Sequence, residues 1–173
     1  MSNIGNFENI GVAFGNWGLT TSEPFVVNIL EQNVFVRLTP SLSTQIQNNI
    51  SISNGVVNIN DNGIYMIQYV NSFSGGVNDQ FMIRFTQGWG LGADPTYYIP
   101  NSLVRFTTKG TNFWEVQNMI FVNLQPKINS LAELVEGQEF PSSNHTIAME
   151  VANRQDTSNI KIHSSSLIVT KLL

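Results

Sequence analysis

The 173-residue sequence predicts an all-β protein built as a sandwich or a barrel. Short apolar segments with alternating polarity are separated by turn clusters along most of the chain, which is typical of antiparallel sheets. No segment of ten or more residues has a clean helical period. Val, Ile, Phe and Thr, which fit a pleated surface, are abundant, whereas Asn and Ser favour turns over helices. A chain of this length suits one domain with one core.

Residues 1–24 are the first element, which we interpret as an extended arm or an edge strand. This segment is rich in Gly and Asn, and the aromatic residues Phe7, Phe14 and Trp17 are interspersed in it. A terminal segment is ordered only when it is held against another surface. We therefore expect these three aromatic side chains to dock on a neighbouring subunit or on a larger particle, and residues 25–173 to form the domain.

The strands of the domain follow from alternation and from turn residues. Apolar residues fall among polar ones in 25–38 and 49–59, and Asn60-Asp61-Asn62-Gly63 then predicts a turn because Asn, Asp and Gly tolerate positive φ. Further strands are expected at 64–73, 80–87, 103–107, 113–124, 146–152, 160–162 and 166–173. The last of them ends in two leucines, so we expect it to lie inside a sheet.

Several of these strands are apolar on both faces. The two parities of 113–124 carry Trp114, Val116, Ile120, Val122 and Leu124 on one side, and Phe113, Met119 and Phe121 on the other. In 64–70, Tyr65 and Tyr69 likewise alternate with apolar neighbours. One face packs in the core, and the second would expose a large apolar area in a monomer. We therefore expect a homo-oligomer; the alternative is a monomer whose second face is covered by the N-terminal arm.

The sequence ISISNGVVNINDNGIYMIQYV at 50–70 resembles the C1q and tumour-necrosis-factor (TNF)-like jelly roll, in which a strand, a turn and a Gly-hydrophobic-Tyr strand follow one another. LVEG at 134–137 is similar to the turn before that family's penultimate long strand, and SSSLIV at 164–169 with Leu172 is similar to its final strand. The resemblance covers residues 25–173. It implies a two-sheet antiparallel jelly-roll sandwich that forms a homotrimer, with aromatic residues near the three-fold axis.

The candidates for the trimer interface are Tyr65, Tyr69, Phe113, Met119 and Phe121. The resemblance implies no chemistry. No collagen-like Gly-X-Y stalk, signal peptide or membrane anchor precedes the domain in this sequence, which weakens a secreted complement-like or cytokine interpretation.

Residues suited to catalysis or metal binding are sparse. His145 and His163 do not have a metal-ligand spacing, and the chain has no Cys for a disulfide, a thiolate nucleophile or a Cys-based zinc site. Nothing in the sequence brings two carboxylates together for hydrolysis. A calcium site from Asp61, Asn62 and Asp79 stays an open alternative, because hard cations bind clustered oxygen ligands. We predict that the protein is not an enzyme and uses no metal or cofactor.

Charge and hydropathy limit the partners. The net charge is −4, and the eight Lys and Arg residues are scattered along the sequence, which argues against nucleic acid as a partner. No stretch approaches eighteen apolar residues, so no membrane span is expected.

The glycine-rich loop at 88–94 carries a separate candidate site. No Gly-Lys-Ser/Thr follows its glycines, so a phosphate-binding loop is not predicted. Trp89, Tyr97 and Tyr98 are instead candidates for an aromatic platform that binds a sugar ring or a partner protein. The alternative is that these rings close the top of a trimer.

Together these features predict a non-enzymatic, trimeric structural or adhesion protein on a virion surface, most plausibly that of a bacteriophage. It would be made in the host cytoplasm and bind capsid or tail proteins through its N-terminal arm. Capsid decoration, a head fibre and a tail-fibre tip all fit. The alternatives are a carbohydrate- or receptor-binding module for host attachment, and a coat protein of a spore or bacterial surface.

Overall fold

The structure is a computed structural model that describes residues 13–19, 23–39, 42–88, 97–108, 114–124 and 145–172. These residues form thirteen strands in two antiparallel sheets, and no helix occurs among them. In chain order the strands are β1 (Phe14–Gly18), β2 (Phe25–Val27), β3 (Val36–Arg37), β4 (Ser43–Asn48), β5 (Ile50–Ser53), β6 (Val56–Ile59), β7 (Gly63–Ser74), β8 (Gln80–Gln87), β9 (Tyr97–Tyr98), β10 (Val104–Thr107), β11 (Trp114–Leu124), β12 (Thr146–Asn153) and β13 (Ile160–Lys171).

The two sheets form a sandwich. The first, called sheet A here, has the strand order β11-β7-β13-β1-β4, with β2 also paired to β13. The second, called sheet B, has the order β10-β8-β12-β6-β5, with β3 paired to β12 and β9 to β8. This architecture confirms the prediction of a two-sheet antiparallel jelly roll.

The core lies between the long strands β7 and β8. Tyr69 of β7 packs against Phe85 of β8 with ring centroids 5.1 Å apart. Phe73 stacks on Phe106 at 4.5 Å, and Phe106 in turn contacts Phe81 at 5.6 Å. Because every second residue of these strands points inward, one parity of each strand fills the core and the other forms the outer face of its sheet.

Most long strands lie close to their predicted positions, but two of the predicted strands form one continuous strand. The segments 160–162 and 166–173 are parts of the single strand β13, which has a register shift between Ile162 and Ser164 where it pairs with β7. The serine run 164–166 favours a turn, but in this fold it continues the strand past a β-bulge. Strands β4 and β9 have no counterpart among the predictions.

The segment expected to be a docking arm contains a strand of sheet A. β1 is hydrogen bonded between β13 and β4, and Trp17 is completely buried in the core. An added Cβ at Gly15 would lie 2.0 Å from the Trp17 ring, so the glycine leaves space for the indole. Trp17 therefore is not a docking residue but a core residue, and the expected boundary at residue 24 does not separate residues 14–18 from the domain. Phe7 lies outside the described residues.

Asparagine and glycine set two turns that orient the strands. β5 and β6 form a hairpin through Asn54 and Gly55, whose φ values of 48° and 73° suit the tight turn that twisted strands prefer. The predicted turn at 60–63 joins β6 of sheet B to β7 of sheet A, so it is a crossing between the sheets.

In the described ranges there is no helix long and apolar enough to span a membrane.

Candidate functional site

The outer face of sheet A carries two rows of side chains that run across five strands. The strand registers place Met119, Gln68, Ile168, Asn16 and Ile46 in one row, and Phe121, Met66, Thr170, Phe14 and Asn48 in the other. Five strands spaced about 4.8 Å apart span about 19 Å. Residues directly opposite one another in antiparallel strands are in contact range, so each row is continuous.

This surface, called the apolar outer face below, contains large exposed hydrophobic side chains. Phe121 is 58% exposed, Ile46 54% and Met119 50%. Met66 and Ile168 are half-buried between them. Neither row contains a charged residue. Six of the ten side chains are apolar, and the other four, Asn16, Asn48, Gln68 and Thr170, are polar but uncharged. A largely apolar surface with exposed side chains of this size is uncommon on a soluble monomer and marks an interaction site.

The predicted interface residues divide between this face and the core. Met119 and Phe121 lie on the apolar outer face, where a second subunit could contact them. Their role in an interface stays a prediction. Tyr65 and Tyr69, by contrast, are 0% and 1% exposed and lie between the sheets. Both side chains belong to the set of alternate β7 residues that points into the sandwich. The prediction that they lie at an intersubunit surface was therefore wrong. Phe113 lies outside the described residues.

The environment of Tyr65 and Tyr69 keeps both hydroxyl groups neutral. The hydroxyl of Tyr65 donates a hydrogen bond to the carbonyl oxygen of Asp61 at 3.1 Å. Burial, with a smaller contribution from the Asp61 charge, raises the pKa of Tyr65 to about 12. Burial likewise raises the pKa of Tyr69 to about 12. Both hydroxyls therefore stay protonated over the physiological range and contribute to the core as neutral groups.

Three residues of the apolar outer face, Ile46, Met66 and Ile168, were not among the sequence candidates for an interface, whereas Phe14 was predicted to dock. Ile168 and Met66 alternate with core residues, but both parities of their strands are apolar, so the sequence does not show which parity faces outward. Their proximity to Phe14 and Ile46 depends on the order of strands in sheet A, which alternation does not determine.

The candidate aromatic platform is described only in part. Tyr98 pairs with Thr86 of β8 and is 62% exposed on the outer face of sheet B. The backbone of Tyr97 pairs with Gln87. Trp89 and the side chain of Tyr97 lie outside the described residues.

The histidines and acidic residues are integrated in the framework. His145 is 2% exposed, and its carbonyl oxygen accepts a hydrogen bond from the Ile59 N–H at 2.9 Å. His163 Nε2 lies 2.8 Å from Ser74 Oγ. Asp79 accepts a hydrogen bond from the Gly76 N–H at 2.6 Å, and burial raises its pKa. Across the part of the chain that the structure covers, no group of three or more His, Cys, Asp or Glu residues is arranged to hold a metal ion.

Solved structures share this fold. Eiger, a TNF from S. frugiperda, matches with a TM-score of 0.61 and 9% identity, over 94% of this chain and 94% of its own. Murine APRIL at pH 8.0 matches with a TM-score of 0.54 and 10% identity, over 93% and 99%. The PRD1 vertex protein P5 matches with a TM-score of 0.52 and 11% identity, over 93% and 97%. No protein-family model and no curated protein matches the sequence.

These similarities confirm the resemblance that residues 50–70 and 164–172 indicated. The chain has the TNF-like jelly-roll fold, shared with TNF-family members and with a phage vertex protein. At about one-tenth identity the likeness concerns the fold.

Proposed function

We propose that the protein is a homotrimeric, non-enzymatic structural or adhesion protein on a virion surface. The apolar outer face of sheet A is the observation that carries this proposal. It provides a surface that a second copy of the chain would cover, and no chemistry is needed to explain it.

The shape of sheet A favours a closed ring over a two-fold dimer. β11 is the last strand in the order of sheet A, so one of its edges has no partner strand among the described residues. Met119 and Phe121 lie on this same edge strand. An edge next to an apolar face suits a head-to-tail contact, in which the edge of one subunit packs on the face of the next, and such contacts form a ring when the rotation between subunits closes. The TNF-like fold supports a ring of three.

The exposed side chains supply a substantial part of the free energy for such a contact. Phenylalanine carries roughly 200 Å² of surface, so burying the exposed part of Phe121 removes about 120 Å² from water and contributes about 3 kcal/mol. Half of the Met119 side chain adds about 1 kcal/mol. Because both residues recur in each subunit, three contacts together gain about 12 kcal/mol from these two positions before the cost of association.

The oligomeric state is tested by light scattering on the purified chain. We expect the mass of three chains of 19.3 kDa. The double variant Met119→Glu/Phe121→Glu should run as a monomer, because it places charge on the apolar outer face. The matched control is Leu30→Glu/Val77→Glu, which adds the same charge at side chains that are 87% and 62% exposed outside sheet A. A monomeric wild type, or equal dissociation of the control variant, would contradict the proposal.

The virion location rests on the fold shared with the phage vertex protein. Capsid decoration, a head fibre and a tail-fibre tip remain the specific forms proposed, with capsid or tail proteins as partners. Since Phe14 and Trp17 belong to β1, docking on the particle is assigned to the chain before this strand, which includes Phe7. Immuno-electron microscopy of particles from producing cells tests the location, and particles without label would refute it.

A carbohydrate- or receptor-binding module is the second candidate function. The exposed ring of Tyr98 on the outer face of sheet B favours it, because amphipathic aromatic rings suit sugar faces and wet interfaces. Tyr98→Ala should weaken glycan binding and leave the oligomer intact.

A further inference from the structure

The outer face of sheet B gathers all four arginines of the chain, Arg37, Arg84, Arg105 and Arg154. Arg84 is opposite Glu150 in the strand register, and Glu150 is opposite Arg37 on its other side. Arg105 is opposite Met82. The N–H of Arg154 donates a hydrogen bond to the carbonyl oxygen of Gln80 at 2.7 Å, which places it beside the start of β8. Basic residues that are scattered along the sequence are therefore concentrated in space, on a protein with a net charge of −4.

Arg84 already has its partners. Its Nε lies 2.7 Å from Glu150 Oε2, and its guanidinium carbon lies 3.8 Å from the centre of the Phe35 ring. The Glu150 carboxylate that balances this charge is almost completely buried. Arg84 is thus part of a closed structural cluster.

Arg105 and Arg154 are in a different situation. They line a cleft of about 230 Å³ together with Gln80, Met82 and Thr107. Both arginines are exposed, and within the described ranges neither guanidinium forms an ion pair. The cleft therefore presents two positive charges that none of the described carboxylates pairs with.

The backbone holds these two arginines in place. Arg105 belongs to β10 and Arg154 follows β12, so they flank β8 from both sides, offset by two residues along it, with their backbones about 12 Å apart. The carbonyl oxygen of Arg154 accepts a hydrogen bond from Gln32 Nε2 at 2.7 Å. A binding site whose backbone is already ordered loses less entropy when a ligand binds.

The carboxylates of Asp79 and Asp156 form hydrogen bonds with groups outside the cleft. Asp79 accepts a hydrogen bond from the Gly76 N–H at 2.6 Å. Asp156 accepts hydrogen bonds from the Ser158 N–H at 2.7 Å and from Asn153 Nδ2 at 2.6 Å. Neither carboxylate lines the cleft.

We propose that this cleft binds the oxyanion group of an acidic saccharide unit, a carboxylate or a sulfate. Two planar guanidinium groups match an oxyanion through paired hydrogen bonds. Gln80 and Thr107 offer donors and acceptors to ring hydroxyls, and Met82 offers an apolar contact for the C–H face. The volume is below the 300–1,000 Å³ of pockets that enclose drug-sized ligands, so the cleft suits a single sugar-sized unit.

Tyr98 extends this site into a path for a longer saccharide. Its partner Thr86 is four residues from Met82 along β8, which corresponds to about 13 Å on the same face. A chain of several sugar units anchored at the arginines would reach the Tyr98 ring. The inference concerns sheet B and does not depend on the trimer, which uses sheet A.

Nuclear magnetic resonance titration of the full chain tests the site with glucuronate as probe. We expect glucuronate to shift the amide signals of Arg105, Thr107 and Arg154, and to bind at least tenfold more tightly than glucose or inorganic sulfate. The variant Arg105→Gln/Arg154→Gln should lose at least tenfold in affinity. The matched control, Lys161→Gln/Lys171→Gln, removes the same charge from sheet A and should bind as the wild type does. Light scattering and thermal unfolding verify that each variant keeps its mass and its fold.

Four results would overturn the proposal. Equal binding of glucose would show that the carboxylate of the probe does not contribute to binding. Equal binding of inorganic sulfate would assign the cleft to a free oxyanion, and tighter binding of a hexaglutamate peptide would assign it to an acidic protein segment. An equal loss of affinity in the lysine control would show that only the net charge of the protein matters for binding. Retained binding in Arg105→Lys/Arg154→Lys with loss in the glutamine variant would further support cationic recognition.

Discussion

The Arg84–Glu150 ion pair should respond asymmetrically to loss of its two partners. The Glu150 side chain is 4% exposed and that of Arg84 is 27% exposed. Removing one partner of a buried pair costs about 3–5 kcal/mol because a charge is left uncompensated. For Arg84→Met we take the lower end, about 3 kcal/mol, since Arg84 opens to water and Arg37 lies opposite Glu150 in the strand register, and add about 0.5–1 kcal/mol for the lost contact with Phe35.

Glu150→Gln should cost much less. The remaining Arg84 charge is partly solvated and still lies over Phe35, and the amide oxygen accepts its hydrogen bond, so about 1 kcal/mol is expected. The double variant Arg84→Met/Glu150→Leu removes both charges and should be within about 1.5 kcal/mol of the wild type.

Urea unfolding at one fixed protein concentration measures these differences. With a slope near 2 kcal/mol per molar urea, Arg84→Met should lower the midpoint by roughly 2 M. The explanation by an uncompensated buried carboxylate would be refuted if Arg84→Met were no more destabilising than Glu150→Gln. It would also be refuted if the double variant were as unstable as Arg84→Met.

Two further predictions concern the framework. Gly55→Ala should lower the free energy of unfolding by about 2 kcal/mol or more in the same urea experiment, because φ is 73° and the new Cβ would lie 1.9 Å from the Leu38 carbonyl oxygen; an unchanged midpoint would contradict the turn geometry. The pKa of Tyr65 is about 12 in the folded chain against an ordinary value of 10.0, so the unfolded chain ionises first and stability should be lost as the pH rises from 10 to 12. Tyr65→Phe should make this alkaline loss shallower, as followed by the thermal midpoint, and an unchanged slope would be inconsistent with that pKa.

Alternation predicted the long strands because each has enough residues to show its period. β8 has the predicted bounds, β7 is one residue longer at each end, β12 is one residue longer at its end, and β11 has the predicted end. β1 was not predicted as an inner strand because glycine and asparagine occupy three of its five positions, leaving Phe14 and Trp17 as the apolar signal. Its place depends on pairing with distant strands.

The face that each parity occupies was harder to predict than the strands. In β7 both parities are apolar, so the sequence does not distinguish Tyr65 and Tyr69, which are buried, from Met66, which lies on the outer face. The cleft on sheet B was still harder to predict from the sequence. Arg105 and Arg154 are separated by 49 positions and belong to different elements, so the order of strands in sheet B is what brings them together.

The pairing of β1 with β13 joins the first and last of the described strands and has a consequence for folding in the cell. Residues 14–18 pair with residues 166–170, so this contact forms only after the roughly 150 residues between the two strands have been synthesised. Pairings this distant in sequence are slow to form, because a long loop must close first. Both rows of the apolar outer face include residues of β13 and β1. The surface proposed for assembly is therefore completed only after β13 has been synthesised, which protects a nascent chain from premature association with its neighbours.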